Sequence, residues 1–302
     1  MTHDRFGVFG WNGISFEVPS AWELGRETGS RRDGYCRLDD EFLPRLELTW
    51  KKPDKKHNVD RLSDNYIANL RKRFKKQDPE VQKLIGFTEV RPDKDVRMFK
   101  WGHPHPVYEM VAFCRHCYRL SFMRYISEKD SGPVERAKRM FASFQDHAED
   151  GRELWAFLGL RLTIPGNYSL DKTILNAGFI RLDFSDRDDG LAVLMISMGR
   201  EHLEKHDLEG LARHFLARDL RRFPQVVFAP MTVNGHEGVK AGPGGKPRGS
   251  WFFRPLFPEK GTVRIFAWLC EQTNKIFIVK AYSLKHDKIE ALTSEHKNVS
   301  CH

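Results

Sequence analysis

Apolar and polar residues alternate through Ile14-Ser15-Phe16-Glu17-Val18 and stop at Pro19, the period of a half-buried strand that ends in a turn. The figure recurs. Residues 11–24 (WNGISFEVPSAWEL) align with residues 157–170 (FLGLRLTIPGNYSL), so that Gly13 meets Gly159, Pro19 meets Pro165, Trp22 meets Tyr168 and Leu24 meets Leu170. A second block aligns G34-Y-C-R-L-D-D40 with G178-F-I-R-L-D-F184. Two blocks in the same order at fixed internal spacing mark an internal duplication.

The pattern continues in parallel. Residues 45–50 (RLELTW) alternate and predict a strand with one solvated face, whereas 191–197 (LAVLMIS) is apolar nearly throughout and predicts a strand buried on both faces. Next, Leu62, Tyr66, Ile67, Leu70 and Phe74 fall at helical spacing and predict a helix over 61–76, matched by 208–223 with Phe215, Leu216, Ala217 and Phe223. Period two then returns. Strands are predicted at 86–90, 96–101, 107–114 and 118–125 in the first copy, and at 226–229, 249–254, 262–270 and 275–282 in the second. Short turns at 115–117 and 271–274 make the last two strands of each copy a hairpin. Closing helices are expected at 134–147, behind Pro133, and at 287–296.

These elements predict an α+β chain: two tandem copies of an antiparallel sheet covered by helices on one face. The repeats span 1–149 and 150–302, joined by the polar segment 147–153 (HAEDGRE). The order of elements and the early F-x-V-P-x-x-W pattern, Phe16 to Trp22, resemble the Mog1/PsbP-like fold, here in tandem across nearly the whole chain. That family includes a Ran-binding import factor and an extrinsic subunit of photosystem II, so the resemblance implies a non-catalytic binding scaffold. No binding residues of the family transfer, and neither relative's partner does.

The sharpest local chemistry is F113-C-R-H-C-Y118, a C-x-x-C in the predicted hairpin turn, where two thiolates can converge on one tetrahedral metal. The chain ends S300-C-H302, so Cys114, Cys117, Cys301 and His302 form the candidate set for one structural zinc ion. Adjacent ligands at 301 and 302 are sterically awkward, and Cys270, His116, His103 or His105 could replace one of them. Cys270 occupies the strand end equivalent to Cys114, but Thr273 stands where Cys117 does, so the duplication implies at most one site. Two other readings stay open: a core thiol with a turn cysteine and a frayed terminus, or a redox pair. The redox pair is disfavoured because the motif lies between strands, away from any helix N-terminus that would lower a thiol pKa.

Other candidates are weaker. His103 and His105 alternate between prolines and could bind a metal or trade protons. The acidic turns 39–41 and 183–189 lack calcium-loop spacing. Residues 239–250 (VKAGPGGKPRGS) invite a phosphate-loop reading, but Lys246 precedes Pro247 and the next periodic segment is a strand, so a long hairpin loop is expected. No catalytic residue is assigned. An enzyme would require a cleft between the copies with His103, His105, Asp39 or Asp183 converging there.

The 302 residues carry 50 Lys and Arg against 41 Asp and Glu, and both halves share the excess: 28 against 24 up to residue 150, 22 against 17 beyond it. An acidic protein partner fits this balance. Nucleic acid is a weaker alternative resting on two basic helices, one ending R71-K-R-F-K-K76 and the other bearing Arg213, Arg218, Arg221 and Arg222. No run of 18 apolar residues predicts a membrane span, and the first fifteen residues lack an apolar signal core. Five cysteines, an odd number, read as reduced thiols. The expectation is a cytoplasmic, monomeric binding or scaffold protein stabilised by one zinc ion.

Overall fold

A computed structural model describes residues 5–53, 58–73, 81–84, 93–102, 105–127, 132–148, 150–223, 225–243, 261–285 and 287–302. The predicted strands at 86–90 and 249–254, His103, and Phe74 to Lys76 lie outside the described residues, as does the loop beyond Pro243. The chain divides into two compact units, Met1–Leu158 and Gly159–His302.

Unit 1 contains β1 (Phe6–Trp11), β2 (Ile14–Pro19), β3 (Glu23–Gly29), β4 (Asp33–Asp39), β5 (Pro44–Lys51), α1 (Val59–Arg73), β6 (Gln82–Lys83), β7 (Lys94–Trp101), β8 (Val107–Cys114), β9 (Leu120–Ile126), α2 (Pro133–Ala142) and β10 (Arg152–Phe157). Its main sheet is antiparallel and seven-stranded, in the order β3-β4-β5-β9-β8-β7-β6. The β1–β2 hairpin turns at Asn12 and Gly13, both left-handed with φ of 52° and 76°, a conformation glycine adopts at no steric cost. β10 pairs with β1 through Gly10 and Ala156.

Unit 2 contains β11 (Leu160–Pro165), β12 (Ser169–Asn176), β13 (Phe179–Asp186), β14 (Asp189–Ser197), α3 (Gly199–Leu203), α4 (Leu208–Phe215), α5 (Ala217–Leu220), β15 (Val226–Val233), β16 (His236–Pro243), β17 (Thr262–Cys270), β18 (Lys275–Ser283), α6 (Ile289–Thr293) and β19 (Val299–Ser300). Its sheet runs β12-β13-β14-β18-β17-β16-β15, the unit 1 order with every strand number raised by nine. The repeated sheet is therefore present strand for strand.

The fold class is not the expected α+β. About 53% of the described residues lie in strands and 21% in helices, so the protein is mostly β, and its helices are too short to cover a sheet. Two causes are visible. Polar segments such as 23–29 (ELGRETG) and 169–176 (SLDKTILN) carry no clean alternation, yet pair as edge strands where neighbouring strands supply the hydrogen bonds. The predicted helices also shrink. The segment 208–223 breaks at Leu216 (φ −101°, ψ 13°) into α4 and α5, and 134–147 stops at Ala142 because Gln145 leaves to bridge Ser15. Residues 239–243, expected in a loop, belong to β16.

In unit 1, α1 lies against β7 and β8, with Val59, Ile67 and Leu70 packed on Phe99, Val111 and Phe113. A polar network pins it there. Buried Glu109 accepts hydrogen bonds from Tyr66 Oη (3.1 Å), Trp101 Nε1 (3.1 Å) and Arg124 Nε (2.9 Å), and Arg124 also reaches Glu47 (3.0 Å) and Tyr66 (2.6 Å). Burial pushes the Glu109 carboxyl upward, and Arg124, Trp101 and Tyr66 oppose it. Arg124→Met would leave that carboxylate buried without its cation and is expected to cost about 3–5 kcal/mol in urea unfolding. Glu109→Gln, which buries no charge, should cost less. A loss below about 1 kcal/mol for Arg124→Met would show that the network does not anchor α1.

Candidate metal centres

The β8–β9 hairpin closes on a left-handed Tyr118 (φ 58°), which folds Cys117 back toward the strand end. Cys114 Sγ, buried at the end of β8, faces the backbone amides of His116 and Cys117, each 3.4 Å away. Amide dipoles aimed at sulfur favour the thiolate. A hydrogen bond from Cys117, foremost, brings the Cys114 pKa down to about 6 despite burial, while the same bond and burial push Cys117 up.

The chain that leaves α2 supplies two further donors. Gln145 exchanges backbone hydrogen bonds with Ser15 on β2 (2.8 Å each way), and the next residues, Asp146 and His147, turn toward the cysteines. His147 Nδ1 lies 3.6 Å from Cys114 Sγ and 2.9 Å from Asp146 Oδ1, and Cys117 Sγ lies 3.6 Å from Asp146 Oδ2. Buried Arg119 fixes this segment by donating to the Asp146 carbonyl (2.7 Å) and to the carbonyls of Asn12 and Arg31. Lys94, at the start of β7 and opposite Cys114 in the ladder, sets its ammonium 3.0 Å from Asp146. Burial works against Asp146, yet Lys94 and His147 hold its carboxyl below the usual range.

Unit 2 builds a second cluster at the same places. Cys270 ends β17 as Cys114 ends β8, and Asn274 (φ 49°) takes the left-handed position of Tyr118. β19 pairs with β11 through Arg161 and Ser300, as Gln145 pairs with Ser15, and the next residues are Cys301 and His302. Continuing the Gly238–Trp268 register outward by two residues sets His236 opposite Cys270, where unit 1 has Lys94. His302 Nδ1 lies 3.4 Å from Cys270 Sγ and 3.3 Å from Cys301 Sγ, and His236 Nε2 lies 3.2 Å from Cys301 Sγ. Burial opposes ionisation of Cys270, but Thr273 and His302 bring its pKa down to about 7; burial pushes Cys301 up.

The candidate ligands of the sequence analysis therefore fall into two groups. Cys114 and Cys117 stand with Asp146 and His147, whereas Cys301 and His302 stand with Cys270 and His236. In each group the donor atoms lie within 4.8 Å of one another. The single site joining Cys114, Cys117, Cys301 and His302 is corrected on this point. The error came from treating the C-x-x-C as half of one centre, although the fold returns a donor pair to each unit's own hairpin. Asp146 and His147 were missed because they were placed in a helix. Chain spacing carried the signal: His147 follows Cys114 by 33 residues and His302 follows Cys270 by 32.

The geometry suits a tetrahedral ion. Zinc bonds of about 2.3 Å to sulfur and 2.0 Å to nitrogen, at tetrahedral angles, set sulfur–nitrogen edges at about 3.5 Å. The measured edges of 3.2 to 3.6 Å are close to that value.

His105 is exposed, and Asp39 and Asp183 are each paired to an arginine on their own strand, Arg37 (2.7 Å) and Arg181 (2.9 Å). The two basic helices are not equivalent stripes, since Arg213 is engaged by Glu209 and Phe228. No helix among the described residues is long and apolar enough to cross a membrane.

No family profile and no curated protein matches the sequence. Among solved structures, the chain is similar to the immunity protein TplEi of T6SS from Pseudomonas aeruginosa, complexed with "L" peptide, at 9% identity over 98% of this chain and 97% of that one, with a TM-score of 0.33. It is also similar to MucB in complex with MucA(peri), at 7% identity over 95% and 81% and a TM-score of 0.22. Neither is named as a Mog1/PsbP-like protein.

Each cluster generates its own expectation for protein purified without a metal-affinity step. Wild type should hold about two zinc ions per chain. Cys270→Ser or His236→Ala should remove one of them, Cys114→Ser or Cys117→Ser the other. Elemental analysis checks this, and loss of all metal in any one variant would contradict two separate centres.

Proposed function

We propose that the protein is a non-catalytic binding or scaffold protein whose two units are each clipped by a structural zinc ion. The observation that carries this reading is the recurrence of a four-donor cluster at one place in both repeats, built from different residues. Unit 1 offers Cys114, Cys117, Asp146 and His147; unit 2 offers Cys270, Cys301, His302 and His236. Thr273 takes the place of Cys117 and His236 that of Lys94, so the fourth donor changes position while the count stays at four. Catalytic zinc keeps an open coordination position for water or substrate, and four protein donors fill it.

In this reading the metal ties the segment after the last helix of each unit to the main hairpin. Metal affinity then becomes folding energy, because the donors are dispersed in the unfolded chain. All five cysteines are free thiols, which suits a reducing compartment, and the cytoplasm is proposed on that ground. The partner class is an acidic protein, met by a chain with nine more basic than acidic residues. The chain acts as a monomer, each unit completing its own centre.

Cobalt substitution tests the closed, structural role. The cobalt protein should give intense tetrahedral d–d bands with thiolate charge transfer, unchanged by excess azide or cyanide, and chelation should lower the Tm. An azide-shifted spectrum would reveal an open position and overturn the non-catalytic assignment, and a Tm indifferent to chelator would overturn the structural one.

A further inference from the structure

Away from the metal clusters, unit 2 holds a cavity of about 340 Å³ whose lining is cationic. Its floor is braced. Asp219 of α5 accepts from Arg181 Nη2 on β13 (3.0 Å) and pairs with Lys280 on β18, both cations being mostly buried. Burial raises the Asp219 carboxyl, and Lys280 and Arg181 outweigh it to hold the group ionised. Arg181 is further fixed by Asp183 (2.9 Å) and by the carbonyl of Phe215. Two positive side chains are thus locked in position before any ligand arrives.

Around this floor stand three more cations: Lys172 on β12, Arg218 on α5 and Arg222 just beyond it. All three are exposed, and none forms an ion pair or side-chain hydrogen bond among the described residues. The lining has five basic side chains and one carboxylate, a surplus of four positive charges; counting Asp183, which touches Arg181, leaves three. Like charges gathered within a Debye length of about 8–10 Å repel one another, so the arrangement weakens the fold unless an anion joins it. On the remaining side, Phe223 and Tyr282 pack ring against ring at 5.7 Å and give the cavity an aromatic wall.

We propose that this cavity binds a small phosphorylated molecule, its phosphate oxygens held by Arg181, Lys280, Arg218 and Arg222 and its organic part laid on Tyr282 and Phe223. Arginine guanidinium groups match phosphate geometry through paired hydrogen bonds, which favours phosphate over a singly charged carboxylate. The volume lies at the lower end of the range for small-molecule sites, which fits a phosphate ester. The site shares no residue with either metal cluster, so it stands or falls separately from the structural-zinc reading.

The test is calorimetric titration of the intact chain, at constant ionic strength, with orthophosphate, pyrophosphate, phenyl phosphate, succinate and a short single-stranded oligonucleotide. Phenyl phosphate should bind saturably and about tenfold tighter than orthophosphate or succinate. Pyrophosphate binding as tightly as phenyl phosphate would move the ligand to a free polyphosphate and overturn the role given to the aromatic wall. Saturation by the oligonucleotide alone would overturn the small-molecule assignment, and no saturable binding at all would overturn the site. Arg218→Gln with Arg222→Gln should lower phenyl phosphate affinity at least tenfold while leaving the ligand-free Tm unchanged or raised, because repulsion is relieved. A lowered ligand-free Tm with retained affinity would make both arginines structural and contradict the proposal.

Discussion

A two-residue strand bridge decides where the chemistry of this protein sits. In unit 1 Gln145 pairs with Ser15, and in unit 2 Ser300 pairs with Arg161; each pairing delivers the next two residues to the end of the strand bearing Cys114 or Cys270. Without that bridge, nothing would hold Asp146-His147 and Cys301-His302 at the strand ends. With it, they become the second half of a four-donor cluster. The bridge is short, and under the structural-zinc proposal a bound ion would hold the segment down while the segment completes the ion's coordination.

The duplication explains why the two centres differ without losing their number of donors. Five positions surround each one: the strand-end thiol, the hairpin turn, the two residues after the bridge, and the residue opposite the thiol in the ladder. Unit 1 uses the turn (Cys117) and places Lys94 opposite, where the ammonium neutralises buried Asp146. Unit 2 replaces the turn thiol by Thr273 and places His236 opposite. Asp146 and Lys94 form a pair, so exchanging both for Cys301 and His236 removes a carboxylate and its counter-ion together. Losing only one of them would leave a buried charge uncompensated.

Much of the sheet was legible in the sequence. Alternation in 45–50 and the continuous apolar run 191–197 mark strands that pair as their pattern implies, whereas 107–114, read as period two, is a strand buried on both faces. The repeat was legible from Gly13 and Gly159, Arg37-Leu38-Asp39 and Arg181-Leu182-Asp183. The mostly β fold was not, because β3 and β12 are polar edge strands whose pairing is dictated by their neighbours. Of the site, the thiols at 114, 117, 270 and 301 were visible as metal-ligand types. Their partition was hidden, since it depends on where α2 ends and where β19 pairs, and Phe144 continues the helical spacing of Ala137, Met140 and Phe141, which the pairing of Gln145 overrides.

The most direct test of paired, differently built centres is X-ray absorption at the zinc edge of the protein as purified. The expected averaged first shell is two sulfurs at about 2.3 Å and two nitrogen or oxygen donors at about 2.0 Å per zinc. In the Cys114→Ser protein the surviving centre should keep two sulfurs and two histidine nitrogens. A first shell without sulfur, or a single centre with three or four sulfurs, would contradict paired centres.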